Sequence, residues 1–145
     1  MQDISGFGLK IIVIASNTYP TGLILTQFAD DTDPLDFPEV DVADFTTGLN
    51  GDLIQNQHPN PLEVNLALIP RTGDANALEF LFNANRVGKN RNSAKDIITL
   101  VAYYPDGTMR TATNGGVRSG AITDGIASDG RTKTRVFGFT FEDLV

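Results

Sequence analysis

A chain of 145 residues with 41% hydrophobic and 20% charged side chains has the apolar content for one folded domain built on one core. Eighteen acids against eleven bases leave a formal charge of −7, which disfavours tight binding to phosphate backbones, because that binding depends on positive charge releasing counterions. The absence of cysteine excludes disulfides, thiolate metal sites and a cysteine nucleophile, and no apolar run nears the ~20 residues of a membrane span.

The start, Met1-Gln2-Asp3, lacks the basic, apolar and small-residue succession of a signal peptide, so the expected place of synthesis and assembly is the cytosol. Leu9 to Ala15 is rich in β-branched residues, and a second apolar run, Gly22 to Phe28, follows a turn-forming Ser-Asn-Thr-Tyr-Pro-Thr stretch. These predict a strand pair. Four consecutive apolar residues, Ile11 to Ile14, predict cover on both faces, from a second layer or another subunit.

Asp30 to Asp44 then holds seven acids and no base: Asp30, Asp31, Asp33, Asp36, Glu39, Asp41 and Asp44. Outside it acids and bases balance, so the whole net charge resides there. Pro34, Leu35, Phe37, Pro38, Val40 and Val42 interrupt the charges and let the segment hold a shape. Glu39 to Val42 alternates, which predicts a return strand and makes the acidic segment the tip and return of a long projecting hairpin.

Leu49-Asn50-Gly51-Asp52 carries a tight-turn signal, and Pro59-Asn60-Pro61 precedes an alternating strand from Leu62 to Ile69 whose Leu62, Val64, Leu66 and Leu68 share a core face. Ala75, Leu78, Leu81, Phe82 and Asn85 fall on one stripe of a helix over about 74–87, capped by Thr72 or Asp74 and ended by Gly88. A strand from Asp96 to Tyr104 turns at Pro105-Asp106-Gly107 into another over Thr108 to Thr113. The turn signals at Asn114-Gly115-Gly116, Asp124-Gly125 and Asp129-Gly130 predict a hairpin over Val117 to Ala127 and a last strand over Arg131 to Phe141. On that strand Phe137, Phe139 and Phe141 alternate onto one face. The fold class expected is mainly β, an antiparallel β-sandwich or partly closed β-barrel with one packed α-helix and a long projecting hairpin, in a single domain over 1–145.

Sites of chemistry are not evident, and no enzyme is expected. His58, the only histidine, lies in a loop-like stretch between Gln57 and Pro59, and no zinc spacing exists. The acids Asp30, Asp31, Asp33 and Asp36 lack calcium-loop spacing. Gly6-Phe7-Gly8 precedes a strand rather than following one, and Gly88-Lys89 lacks the glycine a phosphate loop needs, so no cofactor is expected. The basic cluster Arg86, Lys89, Arg91 and Lys95 follows the helix, where its carbonyl dipoles favour cations. It is also a candidate to meet Asp30 to Asp44 of a neighbouring copy, with Arg131, Lys133 and Arg135 as a second candidate.

The order of elements, with Gly48 to Gly51, the Asn60-Pro61-Leu62-Glu63-Val64-Asn65-Leu66 run, Ile69-Pro70, the Asp74-led helix and the Ile97 to Tyr103 strand, resembles the small tail tube proteins of tailed bacteriophages, those with contractile tails above all. The resemblance implies a virion structural protein that self-assembles as a homohexamer. Its rings would stack into the tube for DNA ejection, assembled in the host cytoplasm. It implies contacts with copies of itself, a long hairpin over residues 23–47 reaching the adjacent ring, and with sheath, baseplate and terminator proteins, while DNA passes through without tight binding. A tail terminator, baseplate or adaptor ring is the alternative, and a monomeric β-sandwich binding module a further one.

Overall fold

The computed structural model describes residues 8–57 and 59–145. Strands β1 (Lys10–Ala15) and β2 (Tyr19–Leu25) form the expected hairpin around Ser16-Asn17-Thr18. β3 (Leu35–Asp36), β4 (Ala43–Thr47), β5 (Leu53–Gln57) and β6 (Leu62–Leu68) precede the helix α1 (Gly73–Ala84). β7 (Ile98–Tyr103), β8 (Met109–Gly120) and β9 (Arg135–Leu144) follow it. Seven strands make one antiparallel sheet in the order β2-β1-β7-β8-β9-β6-β3, and β4 and β5 pair separately. Beyond β2 the chain crosses to the far side of the sheet. Phe28 bridges Leu68, Ala29 N–H donates to Ala67 O at 3.1 Å and Ile69 N–H to Gln27 O at 3.2 Å. The sheet is thereby curled and joined at one corner, a sandwich-like form rather than a closed barrel.

One face of this curl is the core. Alternation puts Ile11 and Val13 of β1, Leu100 and Ala102 of β7, Val64, Leu66 and Leu68 of β6, and Phe137, Phe139 and Phe141 of β9 inside, fully buried. Helix α1 adds Ala75, Leu78 and Leu81 from its apolar stripe, and Phe82 meets Phe137 and Phe139 edge-on with ring centroids 5.1 and 5.2 Å apart. Thr72 is the N-cap, its hydroxyl accepting from Ala75 N–H, while the Asp74 carboxylate accepts from Thr26 and Gln27 N–H and fastens the end of β2 to the helix start.

Three expectations meet a different structure. The hairpin over Val117 to Ala127 is absent, because β8 runs through Asn114-Gly115-Gly116 to Gly120. Its glycines serve close packing: a Cβ on Gly115 would lie 2.5 Å from Phe141 Cε1, and one on Gly120 2.7 Å from Phe137 Cδ1. The Asn-Gly signal is absorbed as a β-bulge, with Asn114 at φ +53° where the register against β7 shifts. The helix ends at Ala84 and not near 87, since the Asn85 side chain donates to Leu81 O and to Asp96, closing the last turn. The projecting hairpin spans 43–57, not 23–47, because Leu35 and Asp36 pair with Leu66 and Asn65 and hold the acidic segment to the sheet edge. Within the single chain Ile11 and Val13 of the apolar β1 run are enclosed, whereas Ile12 and Ile14 stay half-buried, which leaves the expected cover of that second face to another subunit.

Candidate assembly interface

Among the described residues no group of three or more His, Cys, Asp or Glu side chains could hold a metal ion, and no helix is long and apolar enough to cross a membrane. His58 lies outside the described residues.

The acidic segment divides by position. Asp30, Asp31 and Asp33 rim a groove of about 730 Å³ with Leu9, Phe28 and Pro34. Asp31 also has a partner in the chain, since Thr134 Oγ donates to both its oxygens at 2.7 Å and ties the segment to the loop before β9. Asp36 is half-buried against β6. Glu39, Asp41 and Asp44 are exposed and lead into the β4–β5 hairpin, with Asn60 Nδ2 donating to Asp41 O at 2.6 Å to fix the approach.

Arg86, Lys89, Arg91 and Lys95 are all exposed in the loop after α1, where Arg91 also reaches the Asn83 carbonyl at the helix end. Among the described residues no ion pair joins this cluster to Asp30, Asp31, Asp33, Asp36, Glu39 or Asp41 within the chain. Arg131 and Lys133 are exposed as well. Arg135 is not available to a neighbour: it is 2% exposed, donates to Ala121 O at 2.7 Å, and lies 3.6 Å from Glu79 and 3.5 Å from Asp124, beneath which the loop 121–134 closes. A buried guanidinium needs such partners, so its place in the sequence next to Arg131 and Lys133 misleads about its role.

A second buried charge holds the C-terminal end of α1. Asp96, 8% exposed, accepts from Asn17 N–H (2.7 Å), Thr18 N–H (2.9 Å), Thr18 Oγ1 and Asn85 Nδ2 (2.8 Å). Burial pushes its pKa up, but the hydrogen bonds from Thr18, Asn85 and Asn17 outweigh that and bring it below the ordinary aspartate value. This carboxylate joins the β1–β2 turn, the helix end and the start of β7.

The feature that sequence reasoning missed is the β4–β5 hairpin. It is not part of the seven-stranded sheet, and Phe45 (57%), Leu49 (104%), Leu53 (69%) and Ile54 (54%) are exposed along it. Cross-strand register puts Phe45 and Leu53 on one face, with Ile54 on the other. A two-stranded ribbon is marginal in water on its own, and this one displays apolar side chains where a solvated hairpin would carry polar ones. The signal was present in the alternation of Phe45 and Thr47, and of Leu53 and Gln55, around the Leu49-Asn50-Gly51-Asp52 turn.

The sequence matches the family described as Tail fiber protein gp32 over residues 2–145, and the chain belongs to that family. No curated protein matches it in sequence. Its fold is similar to two cryo-EM structures. One is the sheath/tube terminator of PVC, an extracellular contractile injection system, in the extended state. It has a TM-score of 0.55 at 12% identity, over 100% of this chain and 96% of that one. The other is the tube terminating cap of the anti-feeding prophage, with a TM-score of 0.52 at 12% identity, over 100% of this chain and 91% of that one. At that identity the likeness is one of fold.

Proposed function

We propose that the protein forms a single closed ring that ends a tail tube, as a terminator or cap, rather than the repeating ring of the tube itself. The observation that carries this reading is that two proteins named for ending a tube share its fold over the whole of this chain. The exposed apolar hairpin supports assembly, since an element that buries nothing at home gains its stability from a neighbour. A contact between unlike surfaces of identical chains closes into a ring when the rotation permits, which suits a cap.

On this reading the partners are copies of the chain, the tube end and the surrounding sheath, and the place is the virion tail. The balance of charge, −7, leaves DNA free to pass without sticking. The role is structural, without catalysis or cofactor. The family description favours a second reading, a tail fibre protein.

Mass photometry and negative-stain microscopy of the purified protein separate these. The terminator reading predicts isolated rings of one size that do not lengthen with concentration. Long uniform tubes overturn it in favour of a tube subunit, and elongated, non-annular particles in favour of the fibre reading.

A further inference from the structure

A closed ring needs a second surface to receive the hairpin, and one region of the sheet is suited to it in both charge and shape. The strands β2, β1, β7 and β8 are neighbours, and in a chain with eighteen acids they contain none, while holding the bases Lys10, Arg110 and Arg118. Their outer face, opposite the core, carries a row made by register: Ile24 pairs with Ile12, and Ile12 with Val101. Ile24 is 53% exposed, and Ile12, Ile14 and Val101 are half-buried. Gly22, at φ +96°, keeps the row open, since a Cβ there would come within 3.2 Å of Ile12 Cγ2. Lys10 stands on the same face, over the Tyr103 ring at 5.9 Å, and Arg118 spans Gly138 to reach Asn65.

The hairpin and its approach are the complement of this face. Residues 39–57 hold Glu39, Asp41, Asp44 and Asp52 and no base, and they display Phe45, Leu53 and Ile54. Within one chain both surfaces stay open, so the hairpin does not cover its own sheet.

We propose that the β4–β5 hairpin of one copy lies on the outer face of β2-β1-β7-β8 of a second copy, Phe45 and Leu53 against the Ile12–Ile24–Val101 row, with the acids of 39–57 facing Lys10 and Arg118. The contact is head-to-tail, so each copy gives one hairpin and receives one. The apolar row supplies affinity, and the opposed charges set register and exclude the wrong face. This deepens the ring reading and rests on it.

The test uses two double variants of the full chain, both at exposed positions so that the fold is retained, as circular dichroism and melting temperature will show. Phe45→Asp with Leu53→Asp spoils the hairpin; Lys10→Glu with Ile24→Asp spoils the receiving face. In light scattering each variant alone is expected to be monomeric, its assembly weakened about 100-fold or more. Mixed one to one they are expected to give a heterodimer and nothing larger, because the mixture retains one good hairpin and one good face per pair. Assembly of either variant as wild type overturns the proposal, as does a mixture that stays monomeric or a wild-type chain that is monomeric at about 1 mM. Rings that survive both variants while still seating at tube ends remove this contact and leave the terminator reading intact.

Discussion

Asp96→Ala isolates how the fold ties the β1–β2 turn to the end of α1. The substitution removes the acceptor for two backbone N–H groups, a threonine hydroxyl and the Asn85 amide, all part-buried. Hydrogen bonds to a charged group contribute about 1.5–3 kcal/mol each, but water entering the vacated site recovers part of that, so a loss of about 3 kcal/mol is expected at about pH 7. The acidity of Asp96 adds a signature. Its folded pKa lies below the unfolded one, so its contribution is complete above the unfolded value and disappears as pH falls through the folded value. Urea unfolding of wild type and variant, followed from about pH 7 down to about pH 2, is the assay. The gap in stability should be widest near neutrality and narrow toward the acid end. A gap under about 1 kcal/mol at neutral pH, or one unchanged in acid, refutes the assignment of Asp96 as the tie between turn, helix and sheet.

Gly115→Val should cost about 3 kcal/mol or prevent folding, because the added branch meets the Phe141 ring and the Thr140 carbonyl, whereas Gly73→Ala, in open space, should cost under about 1 kcal/mol; thermal melts compare them. Thr72→Ala should remove about 1 kcal/mol through the lost N-cap, read by chemical denaturation. Leu49→Ser should leave the melting temperature of the monomer within about 2 °C while weakening assembly, since its side chain touches solvent alone at the hairpin tip.

Much of the fold was legible because single-strand patterns mark it. Phe137, Phe139 and Phe141 alternate, Leu62 to Leu68 alternates, and the α1 stripe repeats at helical spacing, so core and helix follow from periodicity alone. Turn signals were less reliable where tertiary packing competes. Asn114-Gly115 reads as a turn in isolation, but Gly115 is small because Phe141, far along the chain, occupies its side-chain space. The acidic segment was visible as charge, yet its path was not, since β3 is two residues long and is defined by its pairing with β6. The same limit hid the hairpin: Val40 and Val42 alternate with acids as strand residues do, but backbone pairing begins only at Ala43. Arg135 shows the converse, a base that looks like surface in a run of bases and is enclosed by Glu79 and Asp124.

The most direct test of the tube-ending role is cryo-electron microscopy of the protein mixed with purified tail tubes from its own particle. A terminator is expected as one ring of density at a single end of each tube, with further tube subunits no longer able to add there. Density repeating along the tube, or none at its ends, contradicts it.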